Sequence, residues 1–219
     1  MTNLSRPIVL LVLLAIFILV GAIGGPGNSF DVAVNALMAG LRHSHPQLTS
    51  LTAVLTQLGS VYATLGLGLL AAAWLAFRGR RRSALFLAAI VLLERLSVDG
   101  LKIATARPRP DLELLPFMPA SFSFPSGHSA NSMTVFTAIA FIAVPPAWRR
   151  IALFVAIGVA IVIGITRIFL GVHWPSDVIG GWAWGLFVVG LALIWGRRSG
   201  AIEAEHDIVG RHLPPIRED

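Results

Sequence analysis

Six apolar runs punctuate this chain, at residues 8–23, 51–77, 84–101, 129–144, 151–170 and 178–195, and they constrain its fold more than any other feature. A helix crossing a bilayer core ~30 Å thick needs ~20 residues, and several of the runs reach that length uninterrupted. With 56% of its 219 residues hydrophobic and only 13% charged, the chain is too apolar for an ordinary water-soluble domain. The expectation is an all-α polytopic membrane protein: a bundle of six transmembrane helices with the lipid bilayer as its surroundings. Arg6 ahead of the first run, and Val20-Gly21-Ala22 near its end, also fit a cleavable leader; the reading adopted is a retained anchor.

Between the first two runs, Phe30, Val34, Leu37 and Leu41 recur at helical spacing, with Asn28 or Ser29 placed to cap the start. This pattern predicts a short amphipathic helix, either lying along the membrane surface or packed on the other helices. His43 and His45 fall in its polar exit and read as surface residues. No linker divides the chain, so one transmembrane domain is expected over 1–196, followed by a short polar tail over 197–219 that includes Pro214-Pro215. The absence of cysteine excludes disulfides and thiolate metal sites.

Arginine placement orients the bundle. Arg6, Arg78, Arg80, Arg81, Arg82, Arg149, Arg150, Arg197 and Arg198 all fall on one face if the chain crosses six times. The positive-inside rule makes that face cytoplasmic, and with it both termini. The net charge of +6 does not point to a nucleic-acid partner, because the basic residues stand at the ends of apolar runs. Yet Arg42, Lys102, Arg107, Arg109 and Arg167 lie on the opposite face, against that rule. A bound anion would account for them.

Three blocks on that outer face carry the chemistry. The first is Lys102, six residues, then Arg109-Pro110; the second is Pro125-Ser126-Gly127-His128; the third is Arg167, five residues, His173, three residues and Asp177. Lys102, Arg109 and Arg167 suit phosphate oxygens, the arginines as planar forks and the lysine as a point charge. After Pro125, the Ser126, Gly127 and His128 amides are expected at a helix N-terminus, where free N–H groups bind anions, and the Ser126 hydroxyl adds a donor. His173 precedes a helix expected to start at Pro175, so Asp177 falls in its first turn and can reach back to the imidazole. Two histidines would then share nucleophilic attack and protonation of the leaving oxygen, and spacing alone does not say which one attacks. Arg107 reads equally as a headgroup contact or a substrate ligand. Within the third run, Glu94 or Asp99 is expected to pair with Arg95 or with a site cation, because ionisable groups in a membrane face the bundle interior.

These three blocks resemble the signature of the type 2 phosphatidic acid phosphatase superfamily, which also contains the vanadium-dependent haloperoxidases. The resemblance spans Lys102 to Asp177, with Thr166-Arg167 where the family pattern has Ser-Arg. It implies a metal-independent phosphatase without a cofactor, passing through a phosphohistidine. On the matching positions His173 is the nucleophile, Asp177 its orienting partner and His128 the acid. Lys102, Arg109, Ser126, Gly127 and Arg167 surround the phosphate. Substrates so implied are membrane lipid phosphates: a polyprenyl diphosphate such as undecaprenyl diphosphate first, then phosphatidylglycerophosphate and phosphatidic acid, processed at the outer face of a bacterial cytoplasmic membrane. A lipid phosphotransferase using the same phosphohistidine, and an anion or lipid transporter, are the rival readings.

Overall fold

The computed structural model describes residues 5–110 and 121–202, and these residues form helices joined by short connections, with no strand among them. In chain order the helices are α1 (Ser5–Ile23), α2 (Ser29–Ser44), α3 (Pro46–Leu55), α4 (Val61–Phe77), α5 (Arg81–Thr105), α6 (Gly127–Ile142), α7 (Pro146–Phe169) and α8 (Pro175–Arg198). A 3-10 turn, Thr56–Gly59, joins α3 to α4. Arg197 and Arg198 form the last turn of α8, and the expected polar tail from residue 203 onward lies outside the described residues.

Local chemistry fixes the helix ends. Proline stands in the first turn of α3, α7 and α8, where its missing N–H costs nothing. Asn28 caps α2 by accepting from the Asp31 amide at 3.1 Å, and Ser60 caps α4 by accepting from Ala63 at 3.2 Å. Helix α5 stops at Ala106, in the left-handed region at φ 45°, just before Pro108 and Pro110.

The six expected crossings are not equally evident among the described residues. By length and composition, only α7 and α8 suffice individually to cross a membrane among the described residues. The run at 51–77 is not one helix: α3 with its 3-10 turn and α4 pass together but are bent by 41°. Gly59 sits at that break because there is no room for a side chain. A β-carbon there would lie 3.2 Å from the His128 carbonyl oxygen and collide with Ile163. Helix α1 is apolar but short, and α5 carries Glu94, Arg95, Asp99 and Lys102.

Helix α6 is the centre of the bundle, with small residues such as Ser129, Ala130, Ser132, Thr134 and Ala138 buried along it. Gly181 and Gly185 let α8 press against it. A β-carbon on Gly181 would stand 2.7 Å from the Ser126 carbonyl oxygen, and one on Gly185 would stand 2.9 Å from that of Ala130. An apolar core of Leu75, Leu87, Val91, Val135, Ile142 and Val189 fills one half of the bundle. At that end Arg80 donates to the Ile142 carbonyl at 3.1 Å and Ser83 to that of Ala201 at 3.2 Å, gathering the arginine-rich connections together. The three motif blocks gather at the other end. Helix α2 also lies there, with Phe30 and Leu37 both 60% exposed and Asp31 buried.

Candidate active site

The site begins with the turn into α8. Pro175 starts the helix, so Asp177 is its third residue and accepts the Trp174 amide at 2.9 Å. This closes the first turn and places the carboxylate where the helix dipole favours it. His173, just ahead, directs Nδ1 at Asp177 Oδ2 from 3.3 Å. Ser123 Oγ donates to the same Oδ2 and stands 3.3 Å from Nδ1. The other oxygen, Oδ1, accepts from Arg107 Nη1 at 2.9 Å. Asp177 is fully enclosed, and both of its oxygens accept hydrogen bonds.

On the far side of the imidazole, Arg109 Nη1 donates to Nε2 at 3.2 Å and to the Val172 carbonyl at 2.6 Å. These partners define the tautomer: Nδ1 carries the proton toward Asp177, and Nε2 keeps its lone pair. Burial, and then the Arg109 cation, hold the His173 pKa well below its ordinary 6.5, so the ring is neutral.

Cations surround this ring. Lys102 Nζ donates to the carbonyls of Phe122 at 2.7 Å and Ser123 at 3.3 Å, tying α5 to the loop that precedes α6. Arg167, buried in the last turn of α7, donates from Nη1 to Thr56 Oγ1 at 3.0 Å. Its Nε has no hydrogen-bond partner among the described residues. Arg109, Lys102, Arg167 and His128 all lie near enough to His173 to disfavour its protonation. Ser126 is the N-cap residue of α6 and its hydroxyl accepts from Ser129 Oγ at 3.0 Å.

Several expectations are corrected. The Ser126 amide is not a free donor, because it bonds the Asp177 carbonyl at 2.9 Å; this bond locks the second block to the third. Of the three amides expected to be free, those of Gly127 and His128 have no protein acceptor among the described residues. Arg107 turns inward, toward Asp177. It is buried over the Phe124 ring and donates to Asp177, to Ser176 Oγ at 3.0 Å, and to the Val20 and Gly21 carbonyls at 3.0 and 2.6 Å. Arg42 donates from Nη1 to the Phe169 carbonyl at the end of α7. Within α5 Asp99 pairs with Arg95, one of the expected alternatives, while Glu94 is buried with Oε1 unpartnered.

Sequence reasoning missed three residues. Ser123 braces Asp177, Thr56 holds Arg167, and Asp31 holds the start of α8 through the Ser176 amide at 3.0 Å and its hydroxyl at 2.5 Å. Ser123 lay inside the second block's approach, but nothing in its spacing tied it to Asp177. Asp31 and Thr56 come from parts of the chain with no motif at all.

The sequence profile described as the PAP2 superfamily matches residues 83–201, from α5 to the end of α8. The chain belongs to the PAP2 superfamily. Among PAP2 relatives it is 31% identical to phosphatidylglycerophosphatase B of Bacillus subtilis, over 74% of this chain and 80% of that protein. It is also 31% identical to the undecaprenyl-diphosphatase of Sulfolobus acidocaldarius, over 83% of this chain and 86% of that protein. The crystal structure of a transmembrane PAP2 type phosphatidylglycerolphosphate phosphatase from Bacillus subtilis superposes with a TM-score of 0.78 at 28% identity, covering 86% of this chain and 96% of that one. As a PAP2 chain it is a membrane-embedded phosphatase. Thr56 and Asp31 lie outside the part that the PAP2 profile matches, yet both contact residues of the three blocks.

Proposed function

We propose that this protein hydrolyses a lipid phosphate or diphosphate at the outer face of the membrane through a phosphohistidine. The observation that carries this reading is the setting of His173: Nδ1 is held by buried Asp177, while Nε2 keeps a lone pair 3.2 Å from an arginine that suits a phosphate oxygen. When a phosphoryl group binds, its oxygens become the acceptors for Arg109, Lys102 and Arg167, and the Gly127 and His128 amides face it from the start of α6. Nε2 attacks phosphorus in line, the P–O bond to the lipid breaks, and His128 gives its proton to the leaving oxygen. Water then attacks the phosphohistidine, His128 takes back a proton, and inorganic phosphate leaves.

The bundle crosses six times in this reading, with α3 and α4 together as one bent crossing. The arginine-rich end is cytoplasmic, both termini with it, and the site opens to the exterior of a bacterial cytoplasmic membrane. Substrate reaches it laterally, headgroup in the polar cup and tail in lipid. Of the candidate headgroups, undecaprenyl diphosphate comes first, followed by phosphatidylglycerophosphate and phosphatidic acid; the relatives named for the first two support that choice.

Phosphate release by purified protein from a panel of these lipids, with His173→Ala alongside, tests the reading. Release by the parent and none by the variant is expected. Phosphorylated acceptor without free phosphate would instead favour a phosphotransferase, and lipid flux surviving in the variant a transporter.

A further inference from the structure

We propose that Arg95 is a fourth cation of the site and takes the second phosphoryl group of a diphosphate substrate. The inference rests on the phosphatase reading above and narrows its substrate class.

Arg95 precedes Lys102 by seven residues, two helical turns, so both lie on one face of α5. They converge on the same point of α6: a β-carbon at Gly127 would stand 3.6 Å from Arg95 Nη1 and 3.8 Å from Lys102 Cε. Gly127 is the first residue of α6, one before His128. Arg95 therefore reaches the inner wall of the cup, although it belongs to none of the three blocks.

Its partners differ from those of the other arginines. Arg107 is enclosed, with four acceptors shared between two nitrogens. Arg95 pairs through Nη2 with Asp99, whose side chain is 46% exposed, and Nη1 has no acceptor among the described residues. An ionisable pair inside a membrane-crossing helix is costly and calls for a function. A guanidinium with one hand on an exposed carboxylate and the other free suits an acceptor that arrives with substrate.

In-line geometry says which acceptor. The leaving oxygen departs opposite His173 and is protonated by His128, so whatever it is bonded to lies on the His128 side. Arg95 is on that side: its Nη1 lies 3.6 Å from the β-carbon position of Gly127, the residue next to His128 at the start of α6. In a phosphomonoester the group beyond the leaving oxygen is carbon and needs no cation. In a diphosphate it is a second, charged phosphoryl group.

The test compares farnesyl diphosphate with farnesyl monophosphate as substrates for the detergent-purified chain. The ratio of their kcat/KM values should fall about tenfold or more in Arg95→Gln, the loss of one charge-assisted hydrogen bond. Asp99→Asn, which releases Arg95 from its partner and removes a negative charge, should hold or raise that ratio. An unchanged ratio in Arg95→Gln, or an equal loss on both substrates, overturns the inference. A parent protein that releases phosphate from neither lipid sinks the phosphatase reading itself. Binding is measured separately: methylene diphosphonate should protect the parent from thermal unfolding better than orthophosphate does, and Arg95→Gln should lose that preference. A parent without the preference refutes the role of Arg95 whatever its activity.

Discussion

Arg107 and Asp177 form a buried ion pair, Nη1 to Oδ1 at 2.9 Å, and this pair decides which carboxylate oxygen is left to face His173. Arg107 is itself held by two carbonyls at the end of α1, so the orientation of the imidazole depends on a helix outside the region matched by the PAP2 profile. Asp31 steadies the same turn from α2 by holding Ser176.

Substituting Arg107 should therefore affect rate more than binding. Arg107→Lys keeps the charge but loses the fork, and displacement of the His–Asp pair is expected to lower kcat by roughly 10²-fold with little change in KM. In Arg107→Gln no cation offsets Asp177, whose charge then acts more fully on His173 and raises its pKa, so the acid limb of the pH profile should move upward in that variant. A variant that loses only thermal stability, with normal kcat and an unmoved limb, would show that Arg107 is merely structural.

His173 is held neutral by burial and by the Arg109 cation, which places the acid limb of kcat/KM below pH 6.5. A bound phosphate dianion offsets the surrounding cations, so the corresponding limb in kcat should lie at higher pH. The same shift has a stability consequence. The folded state binds fewer protons at His173 than the unfolded chain does, so its contribution is complete above ~6.5 and is lost as pH falls below that value. Thermal unfolding across pH 4 to 8 should show this loss in the parent and not in His173→Asn.

The nucleophile can be caught directly. Brief exposure to a phosphorus-labelled lipid phosphate should leave acid-labile, base-stable label on the protein, absent from His173→Ala, whose turnover should fall by at least ~10³-fold. Label retained in that variant would assign the attack to another residue. Turnover should also persist in EDTA, since Lys102, Arg109 and Arg167 supply the charge that metal ions supply elsewhere.

Gly181→Ala tests the packing that joins the blocks. Its methyl group would press on the Ser126 carbonyl and the Ser129 side chain, at 2.7 and 2.8 Å. Overpacking of this kind costs about 1–3 kcal/mol, readable as a lower unfolding temperature, and the displaced Ser126 turn should reduce activity as well. Gly158→Ala, in α7 where a β-carbon meets nothing within 4 Å, is the control and should leave both unchanged.

What sequence alone determined follows from physics that is local along the chain. Hydrophobic runs, capping residues and prolines mark where helices begin and end, because those preferences act within a turn or two. Arginine clusters mark a face because charge resists crossing a bilayer. The three blocks could be read because each keeps its residues at fixed spacing within one turn or loop, as His173 and Asp177 do. Tertiary structure alone decided the break in the 51–77 run, where Gly59 yields to the His128 carbonyl and Ile163. It also decided the inward turn of Arg107, the loss of the Ser126 amide to the Asp177 carbonyl, and the bracing by Asp31, Ser123 and Thr56. Each of these is a contact between segments far apart in sequence. A buried polar group must find a partner, but which one it finds depends on how the helices pack, and no spacing along a single segment encodes that.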